Sequence, residues 1–290
     1  MREPDLERWY YHPRGARWQR LAGYAAMILA VVVIGLPLFW MLSGSLKASD
    51  EVFANPPAWL PAAPQWSNYP NAWDAAPFGR FYINTLIITF FGTVIKLVNA
   101  VLTAYALVFL RFPGKQVIFI AILAGLMIPE QVTILPNYLT LANVFGQSWI
   151  NTYQGIILPG AAIAFGTFLL RQSFLGLPRD VLEAAKLDGC GHLRLLADMV
   201  IPMARAPIAT VTLLVAVNKW NEFLWPLIIT TTESMRPLTV GLTYLVNRES
   251  TTQWGQVMAS TVFVVAPLLL VFAIFQKSVI EGVTAGATKG

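Results

Sequence analysis

Leu21-Ala22-Gly23-Tyr24-Ala25-Ala26-Met27-Ile28-Leu29-Ala30-Val31-Val32-Val33-Ile34-Gly35-Leu36-Pro37-Leu38-Phe39-Trp40-Met41-Leu42 runs without one charged side chain. As a helix rising about 1.5 Å per residue it is about 33 Å long, which matches a hydrocarbon layer roughly 30 Å thick. It is too long for the core of a signal peptide and reads as an uncleaved first membrane span. Further apolar segments lie at about Ile83–Leu110, Val117–Leu135, Gly155–Leu170, Pro207–Ile229 and Met258–Phe275. The pattern predicts an all-α integral membrane protein of about six transmembrane helices. Composition agrees: of 290 residues, 56% are hydrophobic and only 12% charged, about half the charge of an ordinary soluble domain. Short connections fit between the spans, whereas a large separate soluble domain does not.

A net charge of +5 raises the question of nucleic acid, but the basic residues are interrupted by spans and form no continuous stripe. They sort by side of the membrane instead. With the N-terminus inside, the inner segments hold Arg2, Arg8, Arg14, Arg17, Arg20, Arg111, Lys115, Arg171, Arg179, Lys186, Arg194, Arg205, Lys277 and Lys289. The outer segments hold Lys47, Arg80, Arg236 and Arg248, and Lys96 and Lys219 fall within spans. The positive-inside rule therefore places both ends in the cytoplasm of a multi-pass cell-membrane protein.

Cys190 is the single cysteine, so an internal disulfide is excluded, and His12 and His192 are too few and too distant to build a metal cluster. Gly286-Ala287-Thr288-Lys289-Gly290 lacks the spacing of a nucleotide-binding loop. The chain is expected to bind no cofactor of its own and to carry no enzymatic site. The segment from Ser43 to Tyr82, rich in Pro, Trp and Asn, is expected to be an outer loop with little regular structure, its tryptophans at the membrane interface. Pro37, Pro129, Pro159, Pro226 and Pro267 fall within spans, where each removes a backbone hydrogen bond and permits a kink.

The longest inner connection, about 177–202, is Leu177-Pro178-Arg179-Asp180-Val181-Leu182-Glu183-Ala184-Ala185-Lys186-Leu187-Asp188-Gly189-Cys190-Gly191, continuing through His192 to Ile201-Pro202. It predicts two short helices around a glycine turn. Pro178 suits a first helical turn, Asp180 and Glu183 complement the positive end of the helix dipole, and Gly189 stops the helix in a left-handed conformation. Ala184, Ala185 and Gly189 leave a surface without bulky side chains for another protein's backbone. An amphipathic connection lying on the membrane surface is the plainer reading of such a composition.

Glu183-Ala184-Ala185 with Gly189 four residues on, and Ile201-Pro202 further along, resembles the EAA loop of ABC importer permeases. Arg111-Phe112-Pro113, Met127-Ile128-Pro129, the stretch from Asn218 to Pro226 and Thr251-Thr252-Gln253-Trp254 are similar to the carbohydrate-type branch, and within it to glycerol-phosphate and glycerophosphodiester permeases. The resemblance covers nearly all of the chain after about Leu21. It implies a type I importer permease domain over 21–283, between a cytoplasmic segment 1–20 and a tail 284–290. It also implies a homologous permease partner, two copies of an ATP-binding subunit that use ATP and Mg, and an extracytoplasmic solute-binding protein. Glu183, Ala184, Ala185, Asp188 and Gly189 would then couple the permease to the ATPase.

Charged groups within spans cost roughly 2.5–3.5 kcal/mol each on the insertion scale, so they face an aqueous path or a partner. Lys96, Asn218, Lys219, Trp220, Asn221, Glu222 and Trp225 are candidates for the path of a polar, anionic solute, because lysine suits phosphate and tryptophan faces suit sugars or quaternary ammonium groups. The alternative is structural: Lys219 and Glu222 pair, Trp225 packs, and Lys96 snorkels or bonds a carbonyl. The cargo is left between a glycerophosphodiester, glycerol phosphate and a neutral oligosaccharide. An ion-coupled secondary transporter would need acidic residues within its spans, and only Glu130 and Glu222 approach that.

Overall fold

The computed structural model describes residues 13–246 and 252–284, with side chains described over 18–246 and 252–274. Arg2, Arg8, His12, Arg248, Thr251 and Lys289 lie outside the described residues, as does the tail from 285, and the side chains of Arg14, Arg17 and Lys277 are likewise undescribed. The described residues are helical apart from turns and one isolated antiparallel bridge, Val144 with Gln147.

Three helices are long and apolar enough to cross a bilayer: α1 (Pro13–Ser45), α2 (Phe78–Phe109) and α9 (Trp254–Thr284). Pro37 and Pro267 sit inside α1 and α9 without breaking them. The remaining apolar segments differ from the straight spans expected. Val117–Leu135 divides into α3 (Lys115–Gly125) and α4 (Glu130–Ala142), bent by 99°. Pro129 caps α4 in an extended conformation, because its missing N–H and its ring end the preceding helix. Gly155–Leu170 becomes Tyr153–Gly160 followed, after a 49° bend, by α5 (Ala164–Leu175). Pro207–Ile229 becomes α7 (Arg205–Trp220) and a short α8 (Leu224–Ile229), with Asn221 to Phe223 between them. At its other end α7 meets the His192–Met203 segment at 84°. Counting each bent pair as one span gives up to six crossings.

The described residues form two compact units, 13–72 with 252–262, and 73–246 with 263–284. In the first, the expected loop is shorter than Ser43 to Tyr82, since α1 runs to Ser45 and α2 starts at Phe78, and it carries short helices at Ser49–Val52 and Asn68–Asp74. Lys47 is fully buried there, donating to the Ala58 carbonyl with its ammonium 4.1 Å from the Trp40 ring centroid. Asn68 Nδ2 donates to the carbonyls of Ser45 and Lys47, at 3.0 and 2.9 Å. A Cβ at Gly255 would lie 2.5 Å from the Lys47 carbonyl oxygen, so the first turn of α9 can pass there only without a side chain.

The second unit is built around α2. Its buried positions Phe81, Thr85, Ile88, Gly92, Ala100 and Ala104 recur at helical spacing, and the small ones let α5 and α7 approach closely, as membrane helices do. Buried Asn84 is fully used: Nδ2 donates to the carbonyls of Ser234 and Arg236, and Oδ1 accepts from Tyr153 Oη. Thr85 Oγ1 accepts from the Leu238 amide, which seats the segment after Thr230 on α2. A Cβ at Gly241 would fall 2.3 Å from Phe81 Cδ2, and the Phe81 ring is itself fully buried. Gly241→Leu is therefore expected to cost at least about 1–3 kcal/mol by overpacking and to lower the thermal midpoint of the solubilised protein. Gly35→Leu, with nothing within 4 Å of its Cβ position, should leave that midpoint unchanged.

Candidate functional site

Two places in the second unit gather the residues singled out from the sequence. The first is the inner connection. Helix α6 (Arg179–Leu187) has Asp180 in its first turn and Lys186 in its last, both of the sign that suits the dipole. Pro178 stands one residue earlier than expected, as the N-cap, extended at ψ 117°. At the other end Gly189 has φ +79°, its amide donates to the Lys186 carbonyl, and the Cys190 amide donates to the Ala185 carbonyl. This pairing is a Schellman motif, which closes the last turn of a helix by its own backbone.

Glu183, Ala184, Asp188 and Gly189 are exposed, whereas Ala185 turns inward beside Leu182. Ala185 thus belongs to the core, not to the free face imagined for it, because it lies three residues from Leu182 on one side of the helix. That core joins α6 to α2, α5 and α7 through Ala104, Tyr105, Leu170, Phe174 and Val211. Tyr105 Oη also lies 2.9 Å from His192 Nδ1, linking α2 to the turn after Gly189. The chain then passes through a π-helical turn at Leu195–Val200. Beside α6 lies a cavity of about 580 Å³ lined by Phe109, Arg111, Phe112, Lys186 and His192.

The second place is where the broken helices meet α2. Lys219 Nζ donates to Glu222 Oε2 at 2.7 Å, and the two side chains are 2% and 25% exposed. The aliphatic chain of Lys219 crosses α2 at Gly92, whose Cβ would be 3.2 Å from its Cδ. A Cβ at Gly160 would lie 3.5 Å from both Lys219 Nζ and Lys96 Nζ. The ammonium groups are thus no more than about 7 Å apart, and at an effective dielectric near 20 they repel by about 2 kcal/mol or more. One carboxylate at hydrogen-bonding distance serves two cations. Glu222 is bonded to Lys219, and Lys96 makes no hydrogen bond or ion pair among the described residues, though Glu222 and, less strongly, Glu130 at the start of α4 act on it through space. Thr93 and Thr89, one and two turns before Lys96 on the same face of α2, have buried hydroxyls without a described partner.

The two tryptophans among the other candidates are bonded to backbone carbonyls. Trp220 is buried and its Nε1 donates to the Val264 carbonyl at 3.0 Å. Trp225 Nε1 donates to the Gly155 carbonyl at 3.2 Å, and Asn221 bonds back to Val217 of its own helix. Asn218 is exposed on α7. Gly92, Gly160, Thr89 and Thr93 were not among the residues singled out; the only trace of them in the sequence is the Pro159-Gly160 pair, which marks a helix stop. Among the described residues no group of three His, Cys, Asp or Glu could hold a metal.

A family model described as binding-protein-dependent transport system inner membrane component matches residues 99–284. The chain belongs to this family of ABC importer permeases. The sn-glycerol-3-phosphate transport system permease protein UgpE of Yersinia pestis bv. Antiqua (strain Antiqua) is 33% identical to this permease over 263 residues, covering 88% of this chain and 92% of the relative. That of Escherichia coli O1:K1 / APEC is 30% identical over 272 residues, covering 91% and 96%. Among solved structures, a bacterial ABC transporter involved in the import of the acidic polysaccharide alginate superposes with a TM-score of 0.79 over 92% of this chain and 98% of that one, at 24% identity. The permease therefore has the importer fold that the EAA-like segment implied, and it sits in the membrane as a multi-pass component.

In this permease Gly189→Val should put a β-branched residue into the left-handed region, at a cost of about 1–2 kcal/mol. The space around it is open, so the substitution adds backbone strain without a clash, and the thermal midpoint of the solubilised protein is expected to fall.

Proposed function

We propose that this permease carries a small phosphate-bearing solute of the glycerol-phosphate class, and that Lys96 receives the phosphate. The observation that carries the reading is the geometry at Gly160: two ammonium groups converge there, Lys219 is bonded to Glu222, and Lys96, with Glu222 and Glu130 acting on it only through space, has no hydrogen-bond partner among the described residues. A cation in a low-dielectric setting is stabilised by a fixed or arriving anion, and a phosphate oxygen takes the charge-assisted hydrogen bond best. Support comes also from the relatives, which are named as sn-glycerol-3-phosphate permeases. The unpartnered hydroxyls of Thr89 and Thr93 offer hydrogen bonds along the same face of α2.

The remaining subunits follow from the family. A second permease of similar fold completes the path, an extracytoplasmic binding protein delivers the solute, and two ATP-binding subunits hydrolyse ATP with Mg. The segment from Glu183 to Gly189 contacts one of them, with Glu183 as the charged contact and Ala184 and Gly189 as the close-packing surface, and both chain ends lie on that cytoplasmic side. Closure of the ATPases on ATP carries this segment with it, and the permeases rock about the central site to expose it alternately.

The test uses the complete importer in proteoliposomes with saturating binding protein. sn-Glycerol 3-phosphate or a glycerophosphodiester is expected to stimulate ATP hydrolysis and to be taken up, and a neutral disaccharide is not. Lys96→Met should cut uptake of the anionic solute by at least tenfold while basal ATPase is retained. Unchanged uptake in that variant, or stimulation by the neutral sugar alone, overturns the reading.

A further inference from the structure

Away from the Gly160 site, α3 and α5 place two cations and two aromatic rings in one groove. Lys115 and Phe119 stand four apart on α3, and Phe168 and Arg171 three apart on α5, so each pair shares a helix face. The Arg171 guanidinium carbon lies 3.9 Å from the Phe119 ring centroid. Phe119 is in turn stacked on Phe168, with centroids 6.4 Å apart and planes 13° from parallel. The Phe119 face holds the guanidinium in place by a cation–π contact, and Arg171 Nε is buried without a hydrogen-bond partner. No acceptor bonds any part of this guanidinium among the described residues, and no carboxylate pairs with it. Lys115 donates to the Val108 and Leu110 carbonyls, which closes the end of α2 and holds a second positive charge near Arg171.

The rim of the groove is apolar and open. Ile118 on α3, next to the face that carries Lys115 and Phe119, is 47% exposed, and Phe165 on α5 is exposed as well. Arg171 lies one turn before the end of α5, only a few residues ahead of α6, and so stands at the end of the unit where a headgroup layer begins. A planar, fixed guanidinium with free N–H groups matches two oxygens of a phosphate, which an ammonium cannot do. Basic pockets between membrane helices recognise anionic headgroups in this way.

We infer that the α3–α5 groove binds an anionic phospholipid, its headgroup phosphate bridging Arg171 and Lys115 and its acyl chains lying over Ile118 and Phe165. The stacked rings are the device that holds Arg171 ready. A carboxylate of the second permease is the competing partner, and the experiment separates the two.

The complete complex is purified from membranes, exchanged into vesicles of phosphatidylcholine with phosphatidylglycerol and then into detergent, and the retained lipid is counted by native mass spectrometry. The wild-type complex is expected to keep phosphatidylglycerol over phosphatidylcholine. Arg171→Gln should lower the retained phosphatidylglycerol at least threefold, and Phe119→Leu, which keeps the charge and removes the platform, should fall between. Arg171→Lys provides the variant with unchanged charge if the glutamine variant assembles poorly, and it too should retain less than wild type. Equal retention in the wild type and all three variants overturns the assignment. So does an efficient crosslink from Ile118→Cys to the second permease, because the mouth of the groove would then be covered by protein.

Discussion

Inside a bilayer a backbone amide has no water to turn to, and every feature of this permease is arranged around that fact. Continuous helices satisfy the requirement by themselves, which is why α1, α2 and α9 can be long. A helix that stops within the hydrocarbon region exposes carbonyls and amides at both new ends, and these need protein or an aqueous cavity around them. The breaks at Gly160 and after Trp220 both fall against α2, where Gly92 allows close approach and Lys96 and Lys219 supply charge. Interrupted helices and ionisable groups thus occur together for one reason: both need a polar enclosure, and each helps to make it.

The same helix organises the other end. Ala104 and Tyr105 of α2 belong to the core that buries Leu182 and Ala185 of α6. A nine-residue helix is short for independent stability, so α6 depends on this packing and on the Schellman closure at Gly189. Its exposed face, with Glu183, Ala184 and Gly189, is thereby held in one orientation relative to α2.

Much of this was legible in the residues. The length of the apolar runs required membrane helices, Gly189 required a left-handed stop, and the three-residue spacing of Lys219 and Glu222 allowed the ion pair that is found. Proline was the ambiguous letter. Pro37 and Pro267 lie in unbroken helices, whereas Pro129 and Pro159 accompany breaks. The difference is set by what surrounds each proline in space, and a linear sequence does not carry it. The same holds for Gly160, whose importance is the convergence of two lysines from helices more than a hundred residues apart in the chain. Ala185 escaped for a milder reason: the Glu-Ala-Ala triplet marks the segment, but which of its members faces inward depends on the helical phase set by Leu182.

Lys96 and Tyr105 share one rod, nine residues or about 13 Å apart along α2. One brings its ammonium group to Gly160, and the other touches His192 in the connection that follows α6. The two positions are joined by continuous helix, with no flexible joint between them. A side chain that tilts α2 to suit one of these contacts therefore also moves the other, and neither end can be remodelled without regard to its opposite.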